Sequence, residues 1–551
     1  LGVAVQELTY RRRMLILAIC CMSLLIVAID NTIVNVALPS IQRDLHAPVS
    51  GLQWIIDAYT LVLASLLMLA GSMGDRLGRR KVFQTGLVLF TVASLLCSLA
   101  PSLSWLVGFR TLQAVGGSML NPVAMSIISN TFTDARERAR AIGVWGGVVG
   151  LSMAAGPVVG GLLVQLVGWR SIFWVNIPVG VLAVVLTALF VPESRAARAR
   201  RPDPLGQLLV IVLLASLTYA IIEGPGRGWA SPEILGLFAL SAVTLVALVR
   251  AESRRSEPLI DLRFFRSIPF SGATVIAVAA FIALAGFLFL NTLYLQEVRG
   301  YTALHAGLLT LPMAAVTAIT GPLSGRLVAR RGSRLSLLAA GGFLTLSALL
   351  LELVTPTSPV LFLGVVYALF GLGFGMVNPP ITNTAVSGMP RAQAGVAAAV
   401  ASTSRQVGQS LGVAVIGSVV ASQAGASLRT GFTAAGHISW AILAGCGVLV
   451  TILAVVTTGP RAIASADRAA ALFPESGPGQ VGPAPQTGPA SGVEERVEKG
   501  SGAERCASDV GPGRFGAADD ICVSGELVIT NEPPDAVTVR VAADGSPETE
   551  T

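Results

Sequence analysis

Apolar stretches of about 20 residues, separated by short polar loops, recur along the chain from Met14 to Thr457. A helix of that length crosses the hydrocarbon core of a bilayer. The pattern predicts six spans near Met14–Leu38, Trp54–Gly71, Val82–Ala100, Leu103–Ile128, Ala141–Val167 and Ser171–Val191. Two more are predicted near Leu205–Ile222 and Pro232–Val249, between basic linkers. Six further spans follow near Phe270–Leu295, Ala306–Val328, Leu335–Val354, Val360–Ala385, Ala394–Ala421 and Ser439–Thr457, for a total of fourteen. The first segment is too long for a signal-peptide core and is read as a membrane helix. From Gly459 the composition turns to Gly, Pro, Ala, Ser and Glu, which predicts a mostly disordered tail to Thr551. Within it, 521–541 alternates enough to be a weak hairpin candidate. The predicted fold class is an all-α polytopic membrane protein.

Composition agrees with this reading. Of 551 residues, 53% are apolar and 13% are charged, and the mean hydropathy is +0.72. A soluble chain of this size needs a more polar surface. The net charge of +7 is spread over short Arg-rich loops, whereas a nucleic-acid binder gathers its cations on one face or tail. Arg11–Arg13, Arg76–Lys81, Arg136, Arg138, Arg140, both linkers, Arg326, Arg330, Arg331, Arg334 and Arg391 fall in alternate loops. The intervening loops hold only Arg43, Arg170, Arg227, Arg299 and Arg429. By the positive-inside rule the first set is cytoplasmic, as are both termini of a chain with an even number of spans. Cys20, Cys21, Cys97 and Cys446 lie in apolar segments, Cys506 and Cys522 in the tail, and no Cys/His spacing suggests a metal or a disulfide framework. No G-x-x-x-x-G-K-[ST] is present, so no nucleotide motor is expected in the chain.

The loop GSMGDRLGRRK, Gly71 to Lys81, returns as GPLSGRLVARR, Gly321 to Arg331, with Asp75 replaced by Gly325. GGSMLNP, Gly116 to Pro122, returns as GFGMVNP, Gly373 to Pro379, and Gly143-Val144 returns as Gly395-Val396. Two six-helix halves, 14–191 and 270–458, flanking a linker with two extra helices, 192–269, explain these ordered matches. Repeats with a site between them near mid-bilayer are a transporter arrangement.

Chemistry-bearing residues inside the spans are few. Asp30 lies within the first, in AIDNTIVNVALP, beside Asn31, Thr32 and Asn35. A bare carboxylate there costs about 2.5 kcal/mol or more, so it is protonated, paired or wet. It reads as a proton or cation site, or as a helix-end acid or polar packing residue. Asp57 and Tyr59 lie about a turn inside the second span; Asp57 is either a boundary acid or functional. Arg110 and Gln113 share one face of the fourth span. Arg110 needs a carboxylate or cavity partner there, unless it snorkels to the outer interface. In the fifth span Gly143, Ser152, Gly156, Pro157, Gly160 and Gly161 permit close helix contact and a loosened backbone. Arg405 and Gln409 stand one turn apart in the thirteenth. Glu223, Glu352, His305 and His437 read as helix-end residues.

These motifs carry a resemblance. G-x-x-x-D-R-x-G-R-R-K resembles the signature of the loop between the second and third helices of the major facilitator superfamily. R-x-x-Q-x-x-G-G in the fourth span resembles its motif linked to proton coupling, and the fifth-span glycines its antiporter motif, with Ser152 where Gly is usual. AIDNTIVNVALP and WRSIFWVNIPVG (Trp169 to Gly180) resemble the fourteen-helix drug:H+ antiporters. The resemblance covers Met14 to Thr457 and implies a proton-coupled exporter of amphipathic drugs or antibiotics in the cytoplasmic membrane. It is not an enzyme, and its expected partners are the bilayer, protons and a small molecule. A monomer is expected, with no nucleic acid and no cofactor beyond the proton gradient. Asp30, Arg110 and Asp57 are the expected proton-coupling residues. Asn31, Asn35, Tyr59, Gln113, Arg405 and Gln409 are expected on the substrate cavity. Gly71, Asp75, Arg76, Gly78, Arg79, Arg80, Gly143, Gly156, Pro157, Gly160 and Gly161 are expected to gate it. Asp75 is expected to hold an outward-open state by bonding near Gly395 at the inner end of the thirteenth span. A mostly apolar cavity with one or two acids suits lipophilic cations or weak bases. Uptake by symport, or a receptor with a transporter-like body, remain alternatives.

Overall fold

A computed structural model describes residues 9–196, 203–255, 258–387, 394–423 and 428–473. The first half contains α1 (Tyr10–Leu45), α2 (Val49–Leu77), α3 (Arg79–Ser98), α4 (Leu103–Thr131), α5 (Ala135–Leu166), α6 (Ser171–Trp174) and α7 (Asn176–Phe190). A central pair follows, α8 (Pro204–Arg227) and α9 (Pro232–Glu252), and then a 3-10 turn, Leu262–Arg266. The second half contains α10 (Ile268–Leu293), α11 (Ala303–Leu309), α12 (Leu311–Arg331), α13 (Ser333–Leu351), α14 (Val360–Val386), α15 (Ala394–Gln423) and α16 (Leu428–Thr457), followed by α17 (Pro460–Ala470). Among the described residues every regular element is helical.

Local sequence starts several of these helices. Asp203-Pro204 and Ser231-Pro232 each place a capping side chain before a proline in the first turn, where the proline's missing N–H costs nothing. Asp134 caps α5 by accepting from the backbone N–H groups of Arg136 (3.0 Å) and Glu137 (2.8 Å). Ser267 caps α10.

Among the described residues eleven helical segments are long and apolar enough to cross a membrane. Helices α4, α5 and α15, of 29, 32 and 30 residues, are as long but fall outside that set. They carry Arg110, the glycine-rich motif and Arg405, so their composition reflects chemistry as well as lipid contact. Residues 460–470 correct the expectation of disorder from Gly459. They form α17, which buries Ala462, Ala466 and Ala469. Ser465 Oγ there accepts from the Ile268 N–H at 2.9 Å. The hairpin candidate at 521–541 lies outside the described residues.

The packing repeats itself. In the first half α3 packs on α4, α2 on α4, α1 on α5 and α7, and α3 on α7. In the second, α13 packs on α14, α12 on α14, α10 on α15 and α16, and α13 on α16. The repeated glycines occupy matching contacts. A Cβ on Gly116 would lie 2.5 Å from the Phe90 backbone nitrogen, and one on Gly373 2.8 Å from that of Leu344. Both permit the same close approach of neighbouring helices. Helix α8 lies against α2 and α15, bridging the halves, and α9 packs on α8.

The two ends of the molecule differ. Far from the Arg-rich loops the halves are locked. Gln53 of α2 donates to the backbone carbonyls of Val413 (3.3 Å) and Ala414 (2.9 Å) of α15. Gln296 donates to the Val36 carbonyl at 2.9 Å. The α5 motif packs here as well. A Cβ on Gly160 would stand 2.6 Å from Ile33, and one on Gly161 2.5 Å from the Ala303 carbonyl. At the opposite end of α5 a Cβ on Gly143 meets nothing within 4 Å.

This gradient makes a prediction. Gly161→Ala forces α5 and α11 apart and raises labelling of cysteines placed beside Gln296, whereas Gly143→Ala leaves labelling unchanged. Equal effects of the two substitutions would contradict the packing account.

Candidate functional site

Asp30 and Arg110 form a buried ion pair inside the first half. Arg110 Nη1 lies 2.5 Å from Asp30 Oδ2, and neither side chain is more than 1% exposed. The pair is hydrogen-bonded on every side. Asp30 Oδ1 accepts from Gln113 Nε2 (2.9 Å) and Asn176 Nδ2 (3.0 Å). Arg110 also donates to Gln113 Oε1 (2.8 Å) and to the Ile55 carbonyl (3.2 Å). Ser94 Oγ accepts from Asn176 (3.0 Å) and Gln113 (3.3 Å) and donates to the Phe173 carbonyl (3.0 Å). The Tyr59 ring lies 4.1 Å from the guanidinium carbon, a cation–π contact. Residues of α1, α2, α3, α4, α6 and α7 converge on this one pair.

Arg110 therefore does not snorkel, and Asp30 is not a helix-end acid. Asn176 and Ser94 are residues that sequence reasoning missed. Asn176 stands inside WRSIFWVNIPVG, so the signal was a polar residue in an apolar motif. Ser94 has no such signal. The repeat extends to this site in neutral form. Tyr367, the counterpart of Arg110, donates its hydroxyl to Asn291 Oδ1 across α10 and α14.

Asp57 is wholly buried rather than at a water boundary. Its Oδ1 accepts from Thr60 Oγ1 at 3.2 Å, and its carboxyl faces Ser410 of α15 across the seam between the halves. It is not part of the Asp30 cluster.

A cavity of about 1790 Å³ lies between the halves. It reaches the Arg-rich end at Asp75, Arg79, Asp203, Asp261 and Arg263, and its wall includes Asn35, Ile56, Leu288 and Val413 deeper in. Asn31, Asn35, Arg405 and Gln409 line it as expected, and Asn31 Nδ2 donates to Gln409 Oε1 at 3.2 Å across the gap. Tyr59 and Gln113 do not line it, because Arg110 has drawn both into its shell. Asp30 and Asp57 are also absent from the wall.

The GSMGDRLGRRK loop rims the open end. Gly78 turns it at φ +118°, a conformation that favours glycine. Asp75 accepts from Arg79 at 2.9 and 3.1 Å, and its backbone carbonyl accepts from the Ala196 N–H. The Arg80 backbone N–H donates to Glu193 at 3.1 Å, and its guanidinium to the Ala188 carbonyl at 2.5 Å. These partners all lie in the first half or just after it. Gly71 lines the cavity and Arg76 is exposed. Contacts of Gly395 lie outside the described side chains.

Of the remaining helix-end residues, Glu223 accepts from Trp54 Nε1 at 2.9 Å, and His305 stacks on Tyr301 at 4.4 Å. Neither reaches the Asp30 cluster.

Comparison with known proteins places this geometry. A family model described as the Major Facilitator Superfamily matches residues 20–413. The chain is 40% identical over 419 residues to the multidrug resistance protein Stp of Mycobacterium tuberculosis, covering 76% of this chain and 78% of that one. It is 38% identical over 403 residues to the tetracenomycin C resistance and export protein of Streptomyces glaucescens, covering 73% and 74%. Its fold matches a bacterial homologue of the human lysosomal transporter Spinster with a TM-score of 0.58 at 16% identity, over 84% of this chain and 98% of that one.

Removing one member of a buried ion pair strands the other in low dielectric, typically at about 3–5 kcal/mol. Arg110→Gln is expected to lower the melting temperature of the detergent-solubilised protein, and Asp30→Asn less so, because its amide oxygen still accepts from Arg110. The double substitution should recover much of the loss of Arg110→Gln. Strict additivity in thermal melts would show that the two residues are not coupled.

Proposed function

The chain belongs to the major facilitator superfamily, and from that premise we propose that it exports small amphipathic molecules across the bacterial cytoplasmic membrane in exchange for protons. It is a multi-pass membrane transporter rather than an enzyme. Its relatives include a multidrug resistance protein and an antibiotic resistance and export protein, which support export over uptake. The observation that carries proton coupling is the buried Asp30–Arg110 pair, an ionisable carboxylate kept inside the membrane-spanning segments, where charge is costly unless it is compensated.

In this reading α1–α16 make fourteen crossings, with α6 and α7 as one, α11 and α12 as one, and both termini cytoplasmic. The Arg-rich end, where the cavity opens, is then the cytoplasmic side, and the conformation described is inward-open. In this state Asp30 bonds Arg110, and the proton of the cycle has left for the cytoplasm. Drug binds in the cavity, the halves rock, and the cavity opens outward. Reprotonation of Asp30 from outside neutralises the carboxylate, weakens its hold on Arg110 and accompanies drug release. Asp57, at the α2–α15 seam, is a second proton-coupling candidate. The cycle needs no cofactor and is carried out by a monomer. One proton falling through 100 mV supplies about 2.3 kcal/mol, which supports a gradient of roughly 50-fold.

Two measurements test this reading. In proteoliposomes with an acid lumen, a transported compound added outside should alkalinise the lumen, because protons leave as the drug enters. Asp30→Asn should abolish that response, and a normal response in the variant would sink the assignment. Among the described residues Asp75 has its ion pair with Arg79. If it also holds the outward-open state, Asp75→Asn shifts the population inward, read as increased labelling of a cysteine at Ser126. Unchanged labelling would remove that role.

A further inference from the structure

The cavity wall carries six charged side chains among the described residues: Asp75, Arg79, Asp203, Asp261, Arg263 and Arg405. Five of them are compensated. Asp75 pairs with Arg79 at 2.9 Å, Asp261 with Arg263 at 2.7 Å, and Asp203 with Arg255. Among the described residues Arg405 has no carboxylate partner. Its Nη2 donates to Thr382 Oγ1 at 2.5 Å and its Nη1 to Ser402 Oγ at 3.3 Å, while Nε has no acceptor. It stands about one turn nearer the open end than Gln409, which meets Asn31 across the gap. Phe281 and Phe374, packed edge to face at 5.2 Å, and Leu284 line the same cavity.

A cation enclosed by protein without a counter-charge costs free energy unless something else neutralises it. The carboxylates that the sequence offers for a cationic drug, Asp30 and Asp57, are both fully buried and off the wall. We infer that Arg405 is the anion-recognising group of the cavity, and that the preferred substrates are amphipaths bearing an ionised acid such as a carboxylate, phenolate or enolate. The apolar body of such a molecule lies against the Phe281, Phe374 and Leu284 surface. Its anion bonds the guanidinium N–H groups that the Thr382 and Ser402 hydroxyls leave over, a charge-assisted contact. The inference rests on the export reading for its direction of transport, but the binding site stands apart from it. It also reverses the charge class that the sequence alone suggests.

Fluorescein and rhodamine 6G share a xanthene body and differ in charge, the first anionic and the second cationic. Fluorescence polarisation with the purified full chain should show fluorescein binding at least tenfold tighter than rhodamine 6G. Arg405→Gln should weaken fluorescein at least tenfold and leave rhodamine 6G within twofold, while Arg405→Lys should restore a large part of the fluorescein affinity. Absence of fluorescein binding, preference for rhodamine 6G, or fluorescein binding that survives Arg405→Gln would each overturn the inference. Proteoliposome transport of the same dyes separates the two readings. Binding of fluorescein through Arg405 without movement in an imposed proton gradient would defeat proton-coupled export and leave the anion site standing. Gradient-driven movement of rhodamine 6G alone would do the reverse.

Discussion

A carboxylate and a guanidinium are held together in the low-dielectric interior of one half, and the rest of the first half is arranged to make that tolerable. Two charges removed from water are costly unless geometry and further hydrogen bonds compensate them. Here Gln113, Asn176, the Ile55 carbonyl and the face of Tyr59 supply that compensation. The requirement ties α1, α2, α4 and α7 to one point, and Ser94 adds α3. The second half solves the same packing problem with Tyr367 and Asn291, which carry no charge. One half thus holds a charged pair while the other holds a neutral copy of its frame.

The pair lies behind the cavity wall rather than on it. Asn31 is on the wall and Asp30, its neighbour in sequence, faces into the helix bundle. Helix α1 carries both residues and packs on α5. Close contact of α5 with α1 and α11 at the closed end, and open space around Gly143 at the other, gives α5 a tight end about which the halves can rock. Helix α8 lies over the α2–α15 seam, so the two central helices have a structural task where the halves meet.

Much of this was legible in the sequence. The succession of apolar segments located the helices, because a bilayer imposes a length and a polarity that few other structures share. The repeat was readable because Gly116 and Gly373 are constrained by the same close helix contact. Asp30 and Arg110 stood out because charge inside a span is costly. The rest depended on which way side chains point. Tyr59 and Gln113 look like cavity residues by position, yet Arg110 recruits them both. Ser94 is an ordinary serine until Asn176 is seen beside it. The pairing of the cavity's charges is visible only in the contacts: among the described residues its acids Asp75, Asp203 and Asp261 bond Arg79, Arg255 and Arg263. α17 was missed because its apolar face is made of small alanines within a Gly- and Pro-rich composition.

The central claim is that Asp30 exchanges its proton against substrate. Isothermal titration of the detergent-solubilised chain with a transported compound, repeated in buffers of different ionisation enthalpy, counts the protons that accompany binding. The account predicts net proton release by the wild-type chain within a series of pH values, and none by Asp30→Asn at undiminished binding stoichiometry. The same proton count in both proteins would place the coupling group elsewhere.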